Sequence, residues 1–334
     1  MHNEPSPTII FDGLLGYVRT AALVAAIRLD VCTAIGEGAR TAAAIAGRTG
    51  ASERGVCILC DYLTSLGLLG KEGREYSLSS TAAAFLDRRS PAALGASEGF
   101  LASPEMLGLV LDSPDGSVRN GGAPGLANVA PDNPVWVKFA RAMVPFAMPI
   151  AARTVDRMQA RGLEPRRVLD IAASHGMYGI EVARRFPQAE VTALDWDAVL
   201  EVAREHVQAA GLSDRFHWIA GSAFDATLGG PYDVVLMPNF LHHFDEAACA
   251  AVLRRVLHAL APGGCVLAPD FVPDEDRASP PLPAMFAFLM LTTTPSGTAY
   301  TQRDFERICA AAGFGRVEFD SLAPAPQTLV IASP

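Results

Sequence analysis

The stretch VLDIAASHGMYG, from Val168 to Gly179, decides how the rest of the chain is read. An apolar run ends on an acid, Asp170, tiny residues follow through Ala172, Ala173 and Ser174, and helical spacing begins after Gly176. A hydrophobic strand, a tight small-residue turn and a helix start make a loop whose backbone a nucleotide-like ligand can approach. Strand-to-helix turns also use small residues for steric reasons alone, so the loop takes its meaning from its surroundings.

Beyond Arg166 the pattern alternates. RRVLDIAA, AEVTALD, RFHWIAG, YDVVLMP, CVLAPDFV and QTLVIAS read as strands, with helices predicted from Met177 to Phe186, Ala198 to Ala210, Glu246 to Leu260 and Arg303 to Ala312. That order predicts an α/β fold with a mostly parallel sheet covered on both faces. Ligands in such folds sit at the C-terminal strand edges, which groups Asp170, Asp195, Ser222, Asn239 and Asp270 as candidates.

Upstream, residues 11 to about 86 are Ala- and Leu-rich at helical spacing. TAAAIAGRTGASERG reads as helix, turn, helix, with Thr41 and Ser52 as N-caps and Gly50 as the stop, and KEGREYSLS reads as a hairpin. This is a winged-helix pattern. Its second helix carries only Arg54 as a cation, so packing or dimerisation is favoured over DNA reading. Residues 92–131 are rich in Gly, Pro, Ser and Ala and predict short helices and loops. Helical spacing resumes in NPVWVKFARAMVPFAMPIAARTVDRMQARG, where Pro145 and Pro149 predict a kink or break. Met143 and Phe146 there form an apolar wall, either plain core or pocket lining. The division read from the sequence is 1–90, 91–162 and 163–334.

Composition narrows the function. The 334 residues carry 27 basic and 36 acidic side chains, a net charge of -9, which argues against general affinity for nucleic-acid phosphates. No run approaches the roughly 20 uninterrupted apolar residues of a membrane helix, and MHNEPSPT lacks a secretory pattern, so a cytoplasmic protein is expected. Of six cysteines only Cys57 and Cys60 are close, within a helical pattern and without a second Cys or His pair, so no metal is expected.

A dinucleotide site would show GxGxxG in the first turn and an acid closing the second strand. The acid is present as Asp195, but the turn is AASHG. An acid there can accept both ribose hydroxyls of an adenosine, and the missing glycines matter less where no pyrophosphate approaches. An adenosine ligand without phosphates fits best.

The run VLDIAASHGMYGIEVARRFPQAEVTALDW resembles motif I and the next strand of class I S-adenosylmethionine (SAM) dependent methyltransferases, Asp170 to Gly176 matching the DxGxGxG spacing. From about residue 10 the chain is similar to small-molecule O-methyltransferases of the caffeate and hydroxyneurosporene type, through AAIRLDVCTAIGEGARTAAAIAGRTG, motif I, LHHF and LAPGGCVLAPDFVP. The resemblance implies a Rossmann-like domain with a seven-stranded sheet, a winged-helix dimerisation domain and a homodimer. It also implies that Gly176 and the backbone from Ala172 to Ser174 line the methionine part of SAM, with Asp170 holding the loop and the amino end. Asp195 would bind the ribose, Trp196 would pack on the adenine, and Ser222, Ala223 and Phe224 would lie near its edge. Trp196 also reads easily as plain core, and Phe224 more easily still. The family pattern has glycines where Ala172, Ala173 and Ser174 stand and an acid at Ser222.

Methyl transfer from a sulfonium is an in-line displacement that benefits from a base with a pKa near neutrality. In PNFLHHFDEAAC the resemblance places His242 on the catalytic base and His243 where an aspartate usually stands. Asp270 matches the first of two acids around that base; the second falls near Ala299, beside Tyr300. His243 reads more simply as capping or flanking the following helix. Asn239 could serve the cofactor, orient a substrate group or satisfy a loop. His175 has no counterpart in the pattern, and could reach the SAM carboxylate, a substrate or nothing. MFAFLML, with Met285, Phe288 and Met290, predicts a helix over an apolar acceptor or a plain core helix.

The leading reading is SAM-dependent O-methylation of a small aromatic or polyketide-like metabolite, releasing S-adenosylhomocysteine. Other reactions on the same fold (N- or C-methylation, or SAM-assisted hydroxylation, decarboxylation or cyclisation) stay open, as does a ligand-sensing regulator.

Overall fold

Apolar residues at helical spacing build the N-terminal unit. Its elements are α1 (Thr8–Leu14), α2 (Gly16–Arg28), α3 (Val31–Gly36), α4 (Ala42–Thr49), α5 (Glu53–Ser65), the hairpin β1 (Leu69–Glu72) and β2 (Glu75–Leu78), α6 (Ser80–Phe85) and α7 (Glu98–Leu101). Thr41 accepts the Ala44 N–H and Ser52 the Gly55 N–H, while Gly50 closes α4 at φ 69°, each a residue suited to its end of the helix. Val31, Ile35, Ile45, Val56, Leu63 and Tyr76 form its core. Cys60 is sealed in that core, and Cys57 is half-buried with its thiol 3.8 Å from Asp61.

The computed structural model describes residues 5–124 and 134–334, so the first four residues of MHNEPSPT and part of the Gly- and Pro-rich region lie outside the described residues. The chain divides into two compact units, Met1–Ser103 and Pro104–Pro334. Much of the stretch read from the sequence as a separate middle region therefore packs with the second unit.

That unit starts with α8 (Pro104–Leu111), α9 (Pro114–Asn120) and α10 (Pro134–Ala160). The break expected at Pro145 and Pro149 does not occur: α10 runs on as a 27-residue helix. The missing N–H donors are tolerated because Ala147, Ile150, Ala151, Val155 and Met158 pack into the core shared with the sheet. By length and composition alone α10 could cross a membrane, but it packs along the helices Met177–Arg185 and Asp197–Ala209.

Strand and helix then alternate through β3 (Arg167–Ile171), α11 (Met177–Arg185), β4 (Glu190–Asp195), α12 (Asp197–Ala209), β5 (Phe216–Ala220), β6 (Tyr232–Leu236), α13 (Glu246–Ala259) and β7 (Leu260–Asp270). They are followed by α14 (Pro281–Thr293), α15 (Gln302–Ala312), β8 (Arg316–Ser321) and β9 (Thr328–Ser333). The seven-stranded sheet has the order β5-β4-β3-β6-β7-β9-β8, parallel except along β9, as expected of the Rossmann-like fold. Successive strands run outward from β3 to β5, and the chain then returns to place β6 on the other side of β3. That reversal makes a crevice at the C-terminal ends of β3 and β6.

Candidate active site

Five strands deliver the five acidic and polar candidates to one edge. Asp170 closes β3, Asp195 closes β4, Ser222 follows β5, Asn239 follows β6 and Asp270 closes β7. The turn after β3 places Ala172 at φ 54°, Ser174 at φ 52° and Gly176 at φ 75°, so two residues with side chains occupy left-handed backbone where glycine is usual. Asp195 holds this turn. One oxygen accepts the Ser174 N–H at 2.8 Å and the other the Trp196 N–H at 2.7 Å, and each keeps a lone pair for a further donor. Burial raises the Asp195 carboxyl to about 6.

Asp170 is fully buried. Its Oδ2 accepts the Gly179 N–H at 3.1 Å and its Oδ1 has no partner among the described residues; burial, with the Asp195 charge adding, raises its pKa to about 7. His175 is buried beside it in the loop. Its Nδ1 accepts the Met177 N–H at 3.2 Å, its carbonyl accepts from His206 Nδ1 at 2.9 Å, and burial first, then His206, lowers its pKa to about 3. A neutral imidazole fixed in this way is part of the loop wall. Trp196 packs with Trp136, Val137, Ala140, Val199 and Val202 in a small cluster beside α10. Ala223 is core, and Phe224 joins Phe240 and Phe244 in an aromatic cluster with ring centroids 4.9–6.4 Å apart.

His242 and Asp270 come together as the sequence suggested. The 3₁₀ turn Leu241–His243 presents His242 so that its Nδ1 lies 2.6 Å from Asp270 Oδ1, with both residues buried. Asp270 Oδ1 also accepts the Phe271 N–H at 2.8 Å, while its Oδ2 has no partner among the described residues. The His243 ring lies 4.4 Å from that of His242, and burial, then His242, lowers its pKa well below the usual value. His243 does not cap the next helix: Asp245 does, accepting the Ala248 N–H at 2.8 Å. Ala299 is sealed, and the Tyr300 hydroxyl is committed to the Phe244 carbonyl at 2.5 Å, so neither supplies a second acid beside the base.

The helix expected over the cleft is present as α14, but the ring against His242 is Phe286, at 4.7 Å, stacked on Phe271 at 4.1 Å. Met285 and Phe288 stand largely exposed, Met290 is buried in the core, and on α10 Met143 is half-buried and Phe146 exposed. Helical spacing marks α14 as apolar all round and cannot say which ring a loop residue 15 positions earlier will meet. Tyr178 is another residue the sequence reading passed over. It is buried, stacks on His175 at 6.4 Å, and its hydroxyl has no hydrogen-bond partner among the described residues. Ser174 Oγ and Asn239 Oδ1 are likewise buried without partners among the described residues, and Asn239, at φ 50°, donates its N–H to the Pro269 carbonyl at 2.8 Å. A buried polar atom left unpaired costs about 1–3 kcal/mol. Several of them at one crevice mark a place for a polar ligand, and they suit the amino and carboxylate groups of SAM.

This chain matches the O-methyltransferase domain family over residues 121–315 and the O-methyltransferase dimerisation domain over residues 11–88, and it belongs to that family. It is a SAM-dependent methyltransferase with SAM as cofactor. A crystal structure from Nostoc punctiforme PCC 73102, described there as a candidate O-methyltransferase, is 41% identical over 99% of this chain and 100% of that one, with a TM-score of 0.93. The 3-hydroxy-5-methyl-1-naphthoate 3-O-methyltransferase of Streptomyces sahachiroi is 28% identical, over 93% of this chain and 90% of its own length. Human N-acetylserotonin methyltransferase in complex with SAM shares the fold at a TM-score of 0.83 and 21% identity, covering 99% of this chain and 98% of the human one.

Proposed function

We propose that the protein methylates a hydroxyl of a small aromatic or polyketide-like metabolite, with His242 as general base and Asp270 orienting it. The observation that carries this reading is the buried 2.6 Å contact between His242 Nδ1 and Asp270 Oδ1. With the Nδ1–H donating to Asp270, the imidazole keeps its lone pair on Nε2. When bound, SAM supplies a sulfonium methyl that an oxygen nucleophile displaces in line. His242 Nε2 takes the hydroxyl proton as the O–H bond breaks, and Asp270 stabilises the imidazolium that results.

Asp195 binds the ribose hydroxyls with its remaining lone pairs, and Ala172, Ser174 and Gly176 let the cofactor lie against their backbone. Phe271 and Phe286 offer a flat apolar wall to the acceptor beside the base, which favours an aromatic ring, as in the naphthoate named for the Streptomyces relative. The chain works as a homodimer through its N-terminal unit, where Ile9, Ile10, Phe11, Leu14 and Leu15 of the first helix and its end are exposed.

The test supplies labelled SAM with a panel of hydroxylated aromatic acids and locates the label in the product. The expected product is a labelled methyl ether, with its formation weakened in Asp195→Ala by poorer cofactor binding. A converted acceptor without label would overturn methyl transfer.

A further inference from the structure

We infer that Tyr300 is a positioning residue for the base: its hydroxyl clamps the 3₁₀ turn from outside and does by backbone restraint what a second carboxylate would do at the ring. This rests on the reading of His242 as the base. A base with one orienting acid keeps its line to the acceptor only if both ends of its side chain are fixed. Asp270 fixes the ring end, at 2.6 Å from Nδ1. The backbone end lies in a turn that binds itself weakly. Its own bonds, the His243 N–H to the Phe240 carbonyl at 3.3 Å and the Phe244 N–H to the Leu241 carbonyl at 3.2 Å, stand at or beyond the long limit for amides.

Three donors from outside hold the turn. The Thr298 N–H donates to the His242 carbonyl at 2.9 Å, the Cys249 thiol of α13 to the Leu241 carbonyl at 3.1 Å, and the Tyr300 hydroxyl to the Phe244 carbonyl at 2.5 Å. The thiol is the weakest donor of the three, and the tyrosine bond is the shortest. Tyr300 serves as a fixed post because it is itself immobile. It is 3% exposed, its ring meets Phe305 edge-on at 5.8 Å, and the next residue, Thr301, caps α15 in a reciprocal box with Asp304. Phe244 packs its ring on Phe224 and Phe240 at 4.9 and 5.0 Å, so the end of the turn is held by side chain and backbone together. Without the hydroxyl, the 3.2 Å internal bond is left to restrain the Phe244 backbone, and the imidazole can swing about its contact with Asp270.

The experiment compares labelled methyl transfer by the full chain to two acceptors, a hydroxynaphthoate and a nitro-substituted hydroxynaphthoate whose hydroxyl is already ionised at the assay pH. A misplaced base slows only the acceptor that must lose a proton. Tyr300→Phe keeps the ring and removes the hydroxyl. It is expected to lower kcat for the hydroxynaphthoate about tenfold or more, while kcat for the ionised acceptor and the affinity for S-adenosylhomocysteine change less than about twofold. Cys249→Ala removes the weaker donor and tests the clamp even if the tyrosine variant does not fold; the same selectivity is expected there at about threefold. Unchanged turnover of both acceptors by Tyr300→Phe would overturn the inference, as would an equal loss for the two in either variant. His242→Ala run alongside separates the two readings. If it too fails to distinguish the acceptors, the assignment of the base fails, whereas selectivity in His242→Ala without selectivity in Tyr300→Phe strikes the clamp alone.

Discussion

Asp170 is the residue where burial and charge conflict most openly. Its carboxyl is held near 7 against an ordinary 3.8, so between about pH 4 and pH 7 the folded protein keeps a proton that the unfolded chain has released. Stability from this group therefore falls as pH rises through that window, by up to about 1.4 kcal/mol per pH unit, and levels off above it. Asp195, raised to about 6, acts in the same direction, whereas His175, lowered to about 3, and His243, lowered well below its usual value, oppose it because only their unfolded imidazoles take a proton there. Asp170→Asn is expected to make the change in thermal midpoint from pH 5 to pH 7 more positive than in the unmodified chain, and an unchanged slope would place the effect elsewhere. The turn beside it holds Ala172 at φ 54°. Replacement by glycine relieves about 1–2 kcal/mol of left-handed strain and adds about 0.5–1 kcal/mol of backbone entropy. Denaturant unfolding of Ala172→Gly should show equal or slightly higher stability, and a loss above 1 kcal/mol would contradict the strain. Asp170, Asp195 and Asp270 were legible because strand ends are fixed by pattern, whereas His242, in the 3₁₀ turn beyond β6, was singled out through the family resemblance. Tyr178 and Phe286 were not, because their partners come from elements that only the folded sheet brings near.

The element that matters most is the 3₁₀ turn carrying the base. It is locked from several sides: the Thr298 N–H donates to the His242 carbonyl at 2.9 Å, the Cys249 thiol to the Leu241 carbonyl at 3.1 Å, and Tyr300 to Phe244. Gly297 lies so close to the His242 carbonyl and the Thr294 hydroxyl that a Cβ would overlap both. Gly297→Ala is expected to shift His242 and lower turnover by up to about 100-fold with S-adenosylhomocysteine affinity nearly unchanged. Equal losses of turnover and cofactor affinity would mean that the loop supports the whole crevice and not the base alone. Element reading from sequence succeeded where the period was clean, as in β3, β4, α12 and α13. It missed two things for physical reasons. Of the kink or break read at Pro145 and Pro149, the break is absent, because tertiary packing outweighs the lost donors, and β8, RVEFDS, has too many polar residues to read as a strand until β9 pairs with it.

At the scale of the whole molecule, the N-terminal unit accounts for self-association and the C-terminal unit for chemistry. Ile10 and Phe11 are 62% and 58% exposed in a single chain, a poor arrangement for a lone protomer in water. Light scattering of a variant carrying Ile10→Asp and Phe11→Ser should show a shift from dimer toward monomer, and an unaltered dimer would move the interface elsewhere. The central claim is that a buried histidine, oriented by one carboxylate, removes the acceptor's proton. The most direct measurement compares labelled methyl transfer to a hydroxynaphthoate by the unmodified chain and by His242→Ala at saturating cofactor, with S-adenosylhomocysteine affinity measured on both. The account predicts a rate lower by about 10²–10⁴ with affinity within about twofold, whereas a variant that keeps its rate would contradict it.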